Sequence, residues 1–380
     1  MNATLDTIVK KVEHRERLTS EEGLALLKTD DVITLGALAD RVRREKNGDH
    51  AYYIINRHFD YSNICELSCH FCAFAKKEGD VGSFLHQIED ARNKIGASLQ
   101  AGITEIHMVG GLHPTLPWEY YTEMVRAIQD LDPNLHVKAF TMVEIDYFAR
   151  KFNKTIEHVF AELIDAGLGS CPGGGAEIFA PRARRKICKD KIDGDRWLEV
   201  MRIAHQVGLK STCTLLYGHI ETDEEIIDHL DRLRRLQDET GGFLAFIPLA
   251  FNPELSILGK VIRPTTGMKD MKMLAVARLY LDNIDHIKTY WITSGIEMAQ
   301  LGLSFGADDV HGTVYEENIM HMAGAPSPHQ LSVKDLREII QRAGFTPQQR
   351  DSFYNIIPPR APERSTPLPL QPSPDSKPPQ

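Results

Sequence analysis

Between residues 51 and 305 short apolar runs alternate with amphipathic stretches of helical period, and this alternation restricts the fold more than any other feature. The candidate strands are residues 52–56, 105–109, 136–140, 167–171, 211–216, 243–249, 288–292 and 303–305. Residues 85–99 illustrate the intervening helices, with Leu85, Ile88, Ile95 and Leu99 on one face and Gly102 as the stop. Eight strands with seven helices between them, followed by an amphipathic run over 332–343, predict an α/β fold, a (β/α)8 TIM-type barrel occupying 51–357. An open doubly wound sheet is the alternative, because periodicity does not reveal closure. Residues 1–50 read as an N-terminal helical extension: Thr19 to Glu22 fits a capping box, and Leu35, Leu38, Ala39 and Val42 keep helical spacing. The stretch 358–380 is rich in proline and is expected to be a disordered tail.

The first candidate strand runs into Cys65, Cys69 and Cys72, half of the chain's six cysteines within eight residues. That is too few for a disulfide framework, and the clustering suits metal ligation in a reducing compartment. Four thiolates normally hold an iron-sulfur cubane, so three would leave one iron open for chemistry. A structural zinc site of Cys65, Cys69, Cys72 and His70 is the competing reading. Cys171, Cys188 and Cys213 are scattered and are expected to pack as small apolar residues. With 44 basic against 53 acidic residues, net charge −9, and no basic run interleaved with aromatics, a nucleic-acid partner has no support and a small-molecule substrate is expected. Residues 1–17 lack the apolar core of a signal peptide, and no run approaches the ~20 apolar residues of a membrane span, so the expected location is cytoplasmic with no membrane partner.

Barrel catalysis collects at the C-terminal ends of strands, which directs attention to the residues just beyond each one. Gly110 and Gly111 follow the second strand and permit close backbone approach by a ligand, or a plain tight turn. Cys171 to Phe179 contains three consecutive glycines and Glu177, an acceptor suited to ribose hydroxyls or a solvated loop acid. His219 lies beyond the fifth strand as a candidate proton-transfer group. Asp308 and Asp309 beyond the eighth suit a polar substrate or a cap. Lys138, Arg182, Arg263 and Arg278 are the candidate cations for substrate carboxylates, Arg278 being also readable as an outer-face arginine.

Five motifs together carry a resemblance across residues 50–357: Cys65-x3-Cys69-x2-Cys72, Gly110-Gly111-Leu112-His113-Pro114, Ala139 to Ile145, Pro172 to Phe179, and Gly306-Ala307-Asp308-Asp309. The chain resembles the futalosine-pathway radical S-adenosylmethionine (SAM) enzymes of menaquinone biosynthesis, with Phe179 and Thr141-Met142-Val143 favouring the aminofutalosine-forming branch. Cyclic dehypoxanthinylfutalosine synthases share the Gly-Gly-Gly-Ala-Glu-Ile segment and are the alternative, with the deazaflavin-forming enzymes more distant. The resemblance implies a barrel of the radical SAM class, a 4Fe-4S cluster on Cys65, Cys69 and Cys72, and SAM as consumed co-substrate. It implies that an adenosyl radical adds to 3-[(1-carboxyvinyl)oxy]benzoate, giving 6-amino-6-deoxyfutalosine, bicarbonate and methionine. It further implies a reducing electron donor such as flavodoxin or ferredoxin. Of the site residues, it implies Phe71 against adenine, Gly110 and Gly111 at the methionine amino end, Glu177 on ribose, and His219 near the rearranging radical.

Overall fold

The computed structural model describes residues 5–358; most of the proline-rich stretch therefore lies outside the described residues. Ten strands form, all paired in parallel: β1 (His50–Ile54), β2 (Asn56–Asp60), β3 (Glu105–Val109), β4 (His136–Ala139), β5 (Leu168–Cys171), β6 (Lys210–Tyr217), β7 (Phe243–Ala250), β8 (His286–Ile287), β9 (Asp309–Gly312) and β10 (Thr346–Gln349). β2 to β8 make one sheet in sequence order, and β10, β1 and β9 a second. A single bridge, Lys288↔Asp309, ties β9 to the β8 side, while β9 pairs with β1 through Tyr52↔Asp309 and Ile54↔Gly312. Only Ile55 separates β1 from β2, so β9 fills the gap between the last and first strands of the larger sheet. The result is the TIM-type arrangement, with helices connecting successive strands.

Three strand expectations need correction. Residues 52–56 are not one strand: the chain changes partners at Asn56, whose N–H donates to the Thr313 hydroxyl and whose side-chain oxygen accepts from Val314 N–H. Residues 288–292 all follow β8, with Lys288 making one isolated bridge, and Trp291–Ser294 is a helical turn. Leu303–Phe305 is a 3₁₀ turn whose Phe305 ring packs where a Cβ on Gly36 would lie 2.5 Å from it. The strand near that point is β9, Asp-Val-His-Gly, which hides from hydropathy because its inward positions face polar groups.

Those groups form the N-terminal floor of the ring. Lys138 of β4 meets Glu105 of β3 at 2.5 Å, and Ser352 donates to the same carboxylate at 2.7 Å. Asp309 accepts from Arg350 Nε at 2.6 Å and from the Tyr354 hydroxyl at 2.7 Å, with Lys288 Nζ at 3.9 Å. The segment after β10 thus closes one end of the ring, and the other end is left for chemistry.

In the N-terminal region Leu5–Glu13, Ser20–Lys28 and Val32–Asn47 are helical, and the capping box at Thr19 and Glu22 is present. Val32–Asn47 packs on Gly267–Tyr280, and Arg234 of helix Asp223–Thr240 donates to Leu18 O at 2.9 Å. His229 of helix Asp223–Thr240 is fully buried: its Nε2–H donates to Thr214 O at 2.9 Å and its Nδ1 accepts from Phe179 N–H at 3.2 Å. Both nitrogens are used by a neutral ring, and burial lowers its pKa to about 3.

The folded protein therefore refuses a proton at His229 that the unfolded chain accepts below about pH 6.5, so acid favours unfolding across that window. On lowering the pH from about 6.5 to about 5, wild type should lose about 2 kcal/mol more stability than His229→Gln in urea unfolding. An identical pH dependence for the two proteins would contradict the neutral buried ring.

Candidate active site

The C-terminal ends of the strands enclose a cavity of about 280 Å³, and Cys65, Cys69 and Cys72 all line it, with Phe71, Gly110, Gly111 and Glu177. These are the residues that the sequence motifs nominated, from three separate connections of the barrel. The cysteine loop is stapled on several sides. Lys77 Nζ donates to the carbonyls of Cys65, Glu66 and Leu67 at 2.9, 2.8 and 3.1 Å. Glu66 N–H donates to Leu112 O, His70 N–H to Ile187 O, and Leu258 N–H to His70 O. Such a loop holds its shape with three side chains free to ligate.

Gly111 is required by the same packing, since a Cβ there would lie 2.3 Å from Ile64 O. Gly173, first of the three glycines after β5, comes equally close to β6, where a Cβ would sit 2.5 Å from the Cys213 Cα. Close approach at both positions is thus to protein backbone. The N–H of Gly110 donates to Glu144 Oε1 at 3.1 Å and that of Gly111 to Ser62 O at 2.8 Å. What Gly110 retains for a ligand is a carbonyl acceptor, the partner that an ammonium group needs. Glu144 also accepts from the Tyr61 hydroxyl and Thr141, and burial raises its pKa to about 7 despite those donors.

Glu177 sits at φ +47° with Oε1 2.5 Å from Lys191 Nζ, leaving Oε2 without a partner among the described residues. Lys191 lies 4.9 Å from the Phe71 ring centroid. Burial opposes its charge, but Glu177 and the Cys69 and Cys188 sulfurs outweigh that and raise its pKa. Burial pushes the Cys69 thiol up to about 12; metal binding must therefore supply the energy that deprotonates it.

The donor set fits a cluster with one open iron. All six cysteines are free thiols; Cys171, Cys188 and Cys213 are buried and do not line the cavity, although Cys188 lies near Cys69 and Lys191, which leaves three cysteines on the cavity wall. His70, which the zinc reading needs, is exposed and off the cavity, engaged only through its main chain. No group of three or more His, Cys, Asp or Glu side chains among the described residues forms a cage for a single ion.

Several candidates nominated on charge alone do not line the cavity. Lys138 is consumed by Glu105 on the floor. Arg182 is exposed and bound to Glu225 and Ile220 O, and Arg263 is exposed. Asp308 is fully buried on the outer side of β9, accepting from Arg278, from His286 Nδ1 at 2.6 Å and from Ile287 N–H at 2.8 Å. Arg278 is therefore neither an outer-face arginine nor a substrate ligand. His219 is also displaced from the expected role: its ring is buried and does not line the cavity, with Nε2–H donating to Leu216 O at 3.0 Å and Nδ1 accepting from Ile220 N–H at 2.7 Å, beside the Glu221 carboxylate.

The cavity contains groups that the motifs did not reveal. Inward side chains at every second strand position place His58, His107, Thr212, Thr214 and His311 along its deep wall, with Tyr290 beside them. The signal was polar residues at spacing two inside strands, as in Asn56-x-His58-x-Asp60 and Glu105-x-His107.

A family model for the radical SAM superfamily matches residues 60–233, and one for the CofH/MqnC C-terminal region matches residues 240–362. The chain is 46% identical to aminodeoxyfutalosine synthase of Thermus thermophilus over 92% of its length and 95% of that protein's. It is 40% identical to 5-amino-6-(D-ribitylamino)uracil--L-tyrosine 4-hydroxyphenyl transferase of Methanopyrus kandleri, over 84% of this chain and 88% of that one. In fold it is similar to the crystal structure of methylornithine synthase, with TM-score 0.72 at 17% identity over 90% of this chain and 97% of that one.

Removing one member of a buried ion pair strands the other, at a cost of about 3–5 kcal/mol. Asp308→Ala should show a loss of that size in urea unfolding; unchanged stability with a raised KM would restore Asp308 as a substrate ligand.

Proposed function

Because this chain belongs to the radical SAM superfamily, in the family of the aminodeoxyfutalosine synthases and their CofH/MqnC-type relatives, we propose that it joins the adenosyl group of SAM to 3-[(1-carboxyvinyl)oxy]benzoate. The products are 6-amino-6-deoxyfutalosine, bicarbonate and methionine, water entering on the substrate side. The observation that carries this reading is the convergence of Cys65, Cys69 and Cys72 with Glu177 on one cavity, in a chain with 46% identity to a protein of that name. Cys65, Cys69 and Cys72 would hold a 4Fe-4S cluster, which when reduced would supply the electron that breaks the C5′–S bond of SAM.

The chain's own residues bind, orient and exclude water. The Gly110 carbonyl receives the methionine ammonium, and Glu144 holds Gly110 in place for it through the N–H bond. The free Oε2 of Glu177 accepts from ribose hydroxyls while Lys191 anchors Oε1. Phe71 packs on adenine. Leu216, Ile247, Leu249 and Phe251 make an apolar wall that keeps water from a reactive carbon centre. Positioning is the main contribution of such a site, since the enol-ether carbon must lie within bonding reach of C5′. Residues 51–357 act as the catalytic unit with 1–50 as a helical extension, in the cytoplasm, with a flavodoxin or ferredoxin as electron donor. No helix of the described residues is long and apolar enough to cross a membrane.

The test is product identification after anaerobic reconstitution with iron and sulfide. With SAM labelled in the adenosyl group and the aryl enol ether, the label should appear in a product of the mass of 6-amino-6-deoxyfutalosine, and Cys69→Ala should abolish both that product and SAM cleavage. Release of free 5′-deoxyadenosine alone, with turnover of dehypoxanthine futalosine or of tyrosine plus 5-amino-6-(D-ribitylamino)uracil, would assign the chain to another branch.

A further inference from the structure

Three histidines deep in the cavity are not used by the reading above. His58 and His107 are register partners on β2 and β3, with ring centroids 4.6 Å apart and tilted 35°. His311 of β9 stands edge-on to His58, Nε2 to Nε2 at 3.4 Å, and edge-on to the Tyr290 ring at 4.8 Å. It is held at φ +72°, a left-handed conformation that a non-glycine residue adopts only when its surroundings enforce it.

Three neutral imidazoles carry three N–H donors and three acceptor nitrogens, yet the rings form one mutual hydrogen bond. Neither ring nitrogen of His107 has a hydrogen-bond partner among the described residues. His311 Nδ1 is fully buried and likewise unpartnered. His107 is partly buried and lines the cavity, while a fully buried atom left like His311 Nδ1 normally awaits a ligand or a water molecule.

The field below the layer favours an anion. On the floor the cations of Lys138 and Arg350 face the carboxylates of Glu105 and Asp309, and Lys288, whose pKa burial lowers to about 7, adds a partial positive charge. Burial lowers the pKa of all three rings, that of His107 to about 4; Lys288 adds to this at each ring and Lys138 at His58 and His107, with Glu105 opposing them. The nearby acids do not cancel this. Glu317 is bound by the N–H groups of Met320 and His321 and by the His321 ring, and burial, with Glu317 beside it, raises the pKa of the Asp60 carboxyl well above its ordinary value. Ile247 and Leu249 of β7 add apolar wall. The layer thus offers N–H donors and a positive field at the blind end of an apolar-walled cavity, whose open end carries the cysteine loop.

We infer that His58, His107 and His311 form the subsite for the ring carboxylate of an aromatic carboxylate substrate, holding it so that the other end of the molecule points toward the cysteine loop. The inference rests on the reading of the cavity as a radical SAM site, and it assigns to the deep wall the anion recognition that Lys138, Arg182 and Arg263 do not provide.

Benzoate and benzamide test the subsite in the reconstituted protein by calorimetry. Wild type should bind benzoate about 10- to 100-fold more tightly than benzamide, the size of hydrogen bonds to a charged group. His107→Phe keeps the ring volume and should lose that preference, and His107→Gln, which keeps a donor, should recover part of it; iron content and thermal unfolding of the variants check their folding. Equal affinity of wild type for the two probes overturns the assignment without recourse to any variant. So does a His107→Phe variant that retains the preference, or one that weakens both probes alike. Preference for benzoate without turnover of the aryl enol ether would leave the subsite standing and overturn only the assigned reaction.

Discussion

The ring depends on β9, and β9 is held chiefly by charge. Its main chain has one bridge to the β8 side and two register pairs to β1, a thin ladder for a strand that must complete a barrel. The consecutive acids Asp308 and Asp309 compensate because successive side chains in extended backbone point to opposite faces. Asp308 faces outward into Arg278 and His286, and Asp309 faces inward to Arg350, Lys288 and Tyr354. Each carboxylate is fully buried, so its partners are obligatory. Pinned on both faces, β9 presents His311 to the cavity and leads into the Thr313 and Val314 contacts where β1 becomes β2.

That dependence explains what the sequence revealed and what it concealed. β3 was legible to the residue, and β4 and β7 to within one, because their apolar positions follow strand spacing. β9 is hidden in the sequence because its inward Asp309 meets Lys288 and Arg350, and the apolar run six residues earlier reads as a strand instead. The cysteine loop was legible because its three ligands are close in sequence. Glu144 and Lys191, which hold neighbouring parts of that site, come from other connections of the barrel, and nothing local to them announces the role.

Charge read without topology misled. Lys138, Arg278 and Asp308 have the chemistry of substrate ligands, yet each has a counter-charge that another strand or helix supplies. Whether a charged side chain is available is a long-range property of the fold, and one residue of strand phase decides it. Asp308 and Asp309 differ in sequence only by their order, and one is part of the outer joint while the other is part of the floor.

The same geometry bears on how one fold serves several reactions. Methylornithine synthase shares the architecture at 17% identity, so the barrel itself does not choose a substrate. At the mouth, the loop with Cys65, Cys69 and Cys72 is stapled by Lys77 and by the main chain of neighbouring connections, which leaves it little freedom to vary without losing its three ligands. Deeper in the cavity the strand backbone fixes positions but not identities: an inward residue such as His107 or Thr214 can change with no change in the ladder beside it. With the His58, His107 and His311 subsite inferred above, substrate choice belongs to the deep wall, at the strand positions between the cysteine mouth and the ionic floor.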